Sequence, residues 1–340
     1  MRLRLEPLEL STRFTFRIAH GARKAHANTL VRLEHDGIEG LGEAAPSPYY
    51  GESEAIVRDQ LEAWAPLLGD DPFALDAIGA RLDAVLNAHG AARAALDMAL
   101  HDWIGKRLGM PVWRWLGLDP ARTPRSCVTL GMADPAEMEV KLATVRDFPI
   151  VKVKLGAPGD VENLRRIRAG YTGVLQVDAN AAWSAAEAVR VLRAIEPLGI
   201  ELVEQPVARG DLDGLRWVRE RSPIPVFADE SCHTLADVGN LAGRCDGVNL
   251  KIMKTGGLRE MLRMIHAARA HGMRVLLGSM VESSLALSAA AQLAPLADYL
   301  DLDGHWLLAE DPFDGAPGER GAITLSDRPG LGVLPAAVRR

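Results

Sequence analysis

From about residue 127 onward, short apolar runs each end in a polar residue, and those polar residues come at nearly equal intervals. Lys154, Asp178, Glu204, Asp229, Lys251, Ser279 and Asp303 are separated by 24, 26, 25, 22, 28 and 24 residues. That interval is the length of one strand plus one helix. Eight candidate strands fit the pattern, at 127–130, 151–155, 174–178, 200–204, 225–228, 247–252, 274–278 and 299–303. Amphipathic helical stretches such as 185–195 and 258–270 lie between consecutive strands. Alternating strands and helices in this number predict a closed parallel barrel. All C-terminal strand ends then open on one mouth, so residues far apart in sequence become neighbours around a single cavity.

The first 115 residues follow a different rhythm. Residues 1–10 and 29–44 read as strands, with His35-Asp36-Gly37 as a hairpin turn. Long Ala- and Leu-rich helical stretches follow at 52–68, 75–87 and 91–108, the last closed by Gly109 and Pro111. The expected fold is α/β: a (β/α)7β-type TIM-like barrel over 116–311, with an N-terminal α+β capping domain over 1–115. The Gly- and Pro-rich tail, about 312–340, has no helix of normal length and is expected to return to the cap. With 39 basic and 45 acidic residues the chain carries a formal charge of −6 and has no basic stripe, which argues against a nucleic-acid partner. Three cysteines, Cys127, Cys232 and Cys245, follow no metal-finger spacing and read as reduced thiols. The first 14 residues alternate apolar and charged types, unlike a signal peptide. The most apolar stretch, 285–297, is interrupted by Ser288, Gln292 and Pro295. A cytoplasmic protein that does not enter membranes is expected.

Three carboxylates, Asp178, Glu204 and Asp229, end three consecutive strands. A carboxylate at a strand end can simply cap the next helix. Three converging on one point would repel one another unless a cation sat between them, and an all-oxygen set favours Mg²⁺. Lys152 and Lys154 lie two apart on the second barrel strand, so both face the interior. Buried together, each is expected to depress the other's pKa and yield a neutral amine. Lys251, on the sixth strand, faces the mouth from the opposite wall, whereas Lys254 reads as a solvent-exposed loop lysine. A divalent cation flanked by two lysines suits removal of a proton α to a carboxylate and its return on the other face. Cys232 and His233, and the tryptophans Trp103, Trp113 and Trp115, read as packing. His101 and Asp102 sit inside a helical stretch without an evident partner.

The segments Lys-Val-Lys, Asp-Ala-Asn, Glu-Gln-Pro, Ala-Asp-Glu-Ser, Asn-Leu-Lys-Ile-Met-Lys-Thr-Gly-Gly and Gly-Ser-Met-Val-Glu-Ser, in this order, resemble the enolase superfamily. More narrowly they resemble its muconate-lactonizing subgroup. The resemblance extends over nearly the whole chain, including Ile-Ala-His-Gly-Ala-Arg and Tyr-Tyr-Gly-Glu-Ser in the cap. Members similar to mandelate racemase carry a His on the seventh strand and an Asp on the sixth. Gly278-Ser279 and Lys251 stand there instead.

On the eighth strand, Asp301 and Asp303 share a face by the same period-2 rule and would bind a cationic group. In the dipeptide epimerases that this Asp-x-Asp resembles, such a pair holds the substrate's α-ammonium. The resemblance implies an Mg²⁺-dependent isomerase, with one ion per subunit, acting on L-Ala-D/L-Glu or a similar dipeptide through a metal-stabilised enolate and serving the use of murein peptides. It further implies Lys154 and Lys251 as the two bases, and Asp178, Glu204 and Asp229 as metal ligands. Thr129, Lys152, Ser279, Met280 and Val281 are then substrate contacts, and Arg23 reads the substrate's acidic side chain, with Arg17, Lys24 and His26 as rivals. o-Succinylbenzoate synthase and muconate-type cycloisomerases share the lysines and carboxylates, but their substrates have no ammonium for Asp301 and Asp303. A catalytically silent binding barrel predicts loss of a metal or base residue, and none is lost. Such barrels often associate, so a homo-oligomer is one expectation.

Overall fold

The fold rests on a computed structural model that describes residues 1–18, 21–85 and 90–336, without the side chains of Phe16, Ile18 and Arg23. Strands β1 (Arg2–Ile18), β2 (Gly21–His35) and β3 (Ile38–Ala44) form an antiparallel sheet in that order. Between β2 and β3, Asp36 and Gly37 both have positive φ, 48° and 73°, the two-residue turn that an Asp-Gly pair favours. Helices α1 (Glu54–Trp64), α2 (Leu75–Val85) and α3 (Ala91–Leu108) follow. The closest approach is between β3 and α3. A Cβ on Gly42 would lie 1.9 Å from the Ala95 carbonyl oxygen, and one on Gly40 would lie 2.0 Å from that of Ala99. Glycine at these two positions and alanines on α3 let sheet and helix backbones touch.

Eight parallel strands follow in sequence order: β4 (Val128–Leu130), β5 (Ile150–Lys154), β6 (Val174–Asp178), β7 (Ile200–Glu204), β8 (Val226–Ala228), β9 (Gly247–Lys251), β10 (Arg274–Gly278) and β11 (Tyr299–Asp301). A parallel bridge from Ser126 to Leu300 and a 2.9 Å bond from the Cys127 N–H to the Leu300 carbonyl join the last strand to the first. The eight-strand parallel barrel expected from the spacing is present. Eight α-helices occupy the seven crossovers, one of them the single turn Ile252–Thr255, and five begin on a side chain that caps a backbone N–H: Asp134, Ser184, Asp211, Thr234 and Ser283. Inside the barrel, Leu202, Phe227, Leu276 and Tyr299 pack into an apolar plug. By the period of two, the next inward residues toward the mouth are Glu204, Asp229, Gly278 and Asp301, so a polar layer rests on an apolar floor. No helix among the described residues is long and apolar enough to cross a membrane.

Two departures from the sequence reading bear on the site. The first strand runs to Ile18 instead of residue 10, and the second starts at Gly21 instead of 29. The register of β1 on β2 breaks between Ser11 and Phe16. The intervening stretch turns to the barrel: Thr12 bridges to Leu308, Arg13 Nε donates to the Leu308 carbonyl at 2.8 Å, and the Ala309 N–H donates to the Ser11 carbonyl at 2.8 Å. Packing against the mouth extends this arm, and no alternation in residues 11–28 announces it. The eighth strand ends at Asp301 instead of 303, because the Leu302 N–H turns to the Ser126 hydroxyl at 2.8 Å.

Asp102, for which the sequence named no partner, ties three elements together. Its buried carboxylate accepts the Leu41 N–H at 2.8 Å, the Leu331 N–H at 2.9 Å and the Lys106 ammonium at 2.7 Å. The C-terminal segment thus lies against α3, and β12 (Phe313–Asp314) pairs with β13 (Leu334–Pro335) beyond the barrel. Trp103, Trp113 and Trp115 are structural as expected: the indole N–H of Trp103 donates to the His35 carbonyl at 2.9 Å, that of Trp113 donates to the Ser326 carbonyl at 3.0 Å, and Trp115 stacks on His101. Replacing Asp102 by Ala orphans two buried N–H groups and is expected to cost about 2–4 kcal/mol in a urea unfolding titration. A loss under about 1 kcal/mol would show that the tail is held by other contacts.

Candidate active site

Ladder register sets the positions of the charged groups. Lys154 on β5 pairs with Asp178 on β6, and Asp178 pairs with Glu204 on β7, so three chemistry-bearing residues stand level on adjacent strands. Asp178, Glu204 and Asp229 each offer a carboxylate oxygen within 4.8 Å of the others, and all three are buried. Lys154 Nζ lies 2.6 Å from Asp178, and Lys251 Nζ lies 2.7 Å from Asp229. Their strands are four apart in the eight-stranded barrel, so the two amines rise from opposite walls.

A cavity of about 420 Å³ opens between cap and barrel. Thr129, Lys154, Asp229, Lys251, Ser279, Met280, Val281, Asp301 and Asp303 line it from the barrel, and Pro46–Tyr50 line it from the cap. The loop after β10 is fixed from the cap side: Asn28 donates to the Val281 carbonyl at 3.2 Å, and Glu43 accepts the Ser283 N–H at 3.1 Å and its hydroxyl.

Lys152 faces the barrel interior, as the period of two predicts. Its ammonium lies beneath the cavity lining, bonded to Asp301 and, at 3.1 Å, to Glu204. Contrary to the sequence reading, Lys152 is not held low. Burial alone would lower Lys152, but Asp301, Glu204 and Asp178 outweigh it and hold the group well above the ordinary lysine value. Asp301 is correspondingly held low despite its burial.

Asp303 has no ion pair among the described residues. It accepts the Thr129 N–H at 2.6 Å, while burial and the Asp301 charge push it up to about 7. Of the pair expected to hold an ammonium, one carboxylate already holds a lysine and the other stands open. The side chain of Arg23 lies outside the described residues. Its backbone pairs with Phe16 near the end of the arm.

Several participants escaped the sequence reading. Lys254 is 1% exposed instead of solvated, and its ammonium bonds Asp229 Oδ1 at 2.5 Å, the Asp229 carbonyl at 2.6 Å and the Asn249 carbonyl at 3.0 Å. Lys251 and Lys254 together hold Asp229 well below the usual carboxylate range against the effect of burial. Asn249 donates to Glu204 at 2.6 Å. Gln205, with φ 35°, accepts the Asp229 and Ser231 N–H groups and fixes that loop. Asn180, at φ 43°, folds back on Asp178 and Glu230. Gln205 and Asn180 follow a recognised residue by one or two positions, Lys254 follows one by three and Asn249 precedes one by two, and that adjacency was the available signal. Cys232 is buried and pushed up to about 12 by burial, an inert packing thiol as expected. His233 packs edge-on against Tyr50.

The residues present fit a divalent cation. Six buried carboxylates (Asp178, Glu204, Asp229, Glu230, Asp301, Asp303) face four buried lysines (Lys152, Lys154, Lys251, Lys254), an excess of two negative charges when all are ionised. Burial followed by Asp178 repulsion pushes Glu204 up to about 7, and burial followed by Asp229 repulsion pushes Glu230 up to about 8. The buried acceptors Asn180 Oδ1 and Glu230 Oε2 have no hydrogen-bond partner among the described residues. The trio holds no thiolate or imidazole, so a hard cation is the match.

Residues 136–337 match the family described as enolase C-terminal domain-like, and residues 6–117 match the N-terminal domain of mandelate racemase and muconate lactonizing enzyme. The chain is 39% identical to the L-Ala-D/L-Glu epimerase of Bacteroides thetaiotaomicron, over 98% of this chain and 88% of the relative. It is 36% identical to the hydrophobic dipeptide epimerase of Roseobacter litoralis, over 98% of each. The crystal structure of a dipeptide epimerase from Enterococcus faecalis V583, complexed with Mg and L-Leu-L-Tyr, superposes with a TM-score of 0.92 at 30% identity, over 98% of each chain.

Mg²⁺ at about 100 times its Kd is expected to stabilise the fold by about 2.7 kcal/mol, read as a rise in Tm by calorimetry. Glu204→Gln should abolish that rise. An equal Mg²⁺ response in this variant would place the ion elsewhere.

Proposed function

The chain belongs to the mandelate racemase/muconate lactonizing enzyme family of the enolase superfamily, and we propose that it epimerises a dipeptide of the L-Ala-D/L-Glu kind at the α-carbon of the C-terminal residue. It is an isomerase of the racemase and epimerase type, with Asp178, Glu204 and Asp229 as the residues that would hold Mg²⁺. The observation that carries the reading is the placement of Lys154 and Lys251. They stand on opposite walls of one cavity, with an unpaired carboxylate, Asp303, beside them.

The neutral amine of one lysine removes the α-proton, and the C–H electron pair moves into the substrate carboxylate. The ammonium of the other lysine delivers a proton to the opposite face, inverting the centre. Exchange with solvent then returns each lysine to its starting state. Mg²⁺ held by Asp178, Glu204 and Asp229 would supply positive charge to the substrate carboxylate as the enolate forms. Asp303, with Asp301 behind it, takes the substrate's α-ammonium, and Ser279 to Val281 border the dipeptide. A cycloisomerase substrate without an ammonium would leave Asp303 unpaired. This reading places the enzyme in cytoplasmic use of murein-derived peptides.

Lys154→Ala and Lys251→Ala should each lower epimerisation by about 10²–10⁴-fold. In D₂O each variant should retain α-proton exchange from one enantiomer only, read by NMR. Normal exchange from both enantiomers in either variant overturns the two-base assignment. Asp303→Asn should raise KM for a free dipeptide by about tenfold or more, and hardly at all for its N-acetyl analogue. Equal losses would remove the ammonium-binding role.

A further inference from the structure

A second cavity, of about 290 Å³, adjoins the first and shares Thr129 and Leu307 with it. It exists because the register break in β1 lays residues 12–15 across the barrel mouth. Phe14 of the arm lines it together with Leu130, Val145 and Trp306. Phe14 is 48% exposed, a large apolar side chain left open although its segment is pinned on both sides to the barrel.

Thr129 connects this space to the ammonium site directly. Its N–H donates to Asp303 at 2.6 Å, and its hydroxyl donates to Asp301 at 3.2 Å. Granted the reading of Asp303 as the ammonium holder, the side chain on the carbon that bears the ammonium has this cavity at hand. The charged residues on its walls are cations. The Arg13 guanidinium sits 4.9 Å over the Trp306 ring, and Lys141, 6% exposed, pairs with Glu137 at 2.9 Å.

We propose that this second cavity receives the side chain of the substrate's N-terminal residue and selects a long aliphatic or aromatic one over alanine, lysine or arginine. A methyl group would leave the apolar walls wet, because 290 Å³ is room for roughly ten waters at about 30 Å³ each. Each buried methylene is worth about fourfold in binding. A cationic side chain would meet Arg13 and Lys141. This rests on the epimerase reading and narrows it, moving the expected N-terminal residue away from alanine.

The test is α-proton exchange in D₂O with the Mg²⁺-loaded full chain, on Xaa-L-Glu dipeptides with Ala, Leu, Phe or Lys at the first position. Leu and Phe should give kcat/KM about tenfold or more above Ala, and Lys should fall below Ala. Thr144→Trp and, independently, Thr15→Trp place bulk at exposed positions on the cavity rim. They should lower the Leu and Phe values about tenfold more than the Ala value. Ala equal to or better than Leu and Phe, or variants that lower all dipeptides alike, would overturn the proposal while the epimerase reading stands. No exchange on any of the four would overturn the epimerase reading and this inference with it.

Discussion

An unbalanced charge dominates the top of the barrel. The fold gathers six carboxylates above an apolar floor and threads only four lysines among them, which would leave an excess of two negative charges with every group ionised. Charges removed from water must be paired or shift toward neutrality. Both outcomes are present. Asp229 sits between two ammonium groups and stays ionised, while Glu204 and Glu230 are pushed toward the neutral acid by burial and mutual repulsion. A cluster held this way suits a bound divalent cation, and the apolar plug closes the barrel beneath it.

The cap is an active part of this arrangement. Gly40 and Gly42 let the sheet lie directly on α3, and Asp102 fastens sheet, helix and tail in one buried knot. From that platform Asn28 and Glu43 reach across to hold the loop after β10. The arm reaches the other side of the mouth. The chemistry therefore sits on rigid strand ends, whereas the shape of the cavity is decided by cap residues that perform no chemistry themselves.

Much of this was legible in the sequence, for a definite reason. A strand–helix repeat of about 25 residues predicts parallel strands with aligned ends, and a period of two then fixes which side chains face inward. Asp178, Glu204, Asp229, Lys154 and Lys251 are placed by those two rules, and the ladder partners Lys154–Asp178 and Asp178–Glu204 follow from them. Lys254 was misread because it lies in a one-turn helix after β9, where neither period applies and only folding shows its ammonium turning back to Asp229. Lys152 was placed on the correct face. Its chemical state depended on distances to Asp301 and Glu204, strands away in the ladder.

The sequence alone determined the eight-strand barrel, the three-carboxylate site and the two facing lysines, since each follows from a periodicity carried along the chain. The tertiary structure alone decided that Asp301 is already paired and Asp303 is open, that Lys152 lies beneath the cavity, and that a broken strand register builds a second chamber beside the first. These depend on contacts between segments hundreds of residues apart, such as Arg13 with Leu308 and Asn28 with Val281. No local pattern encodes such distances. They are set by how the cap comes to rest on the barrel.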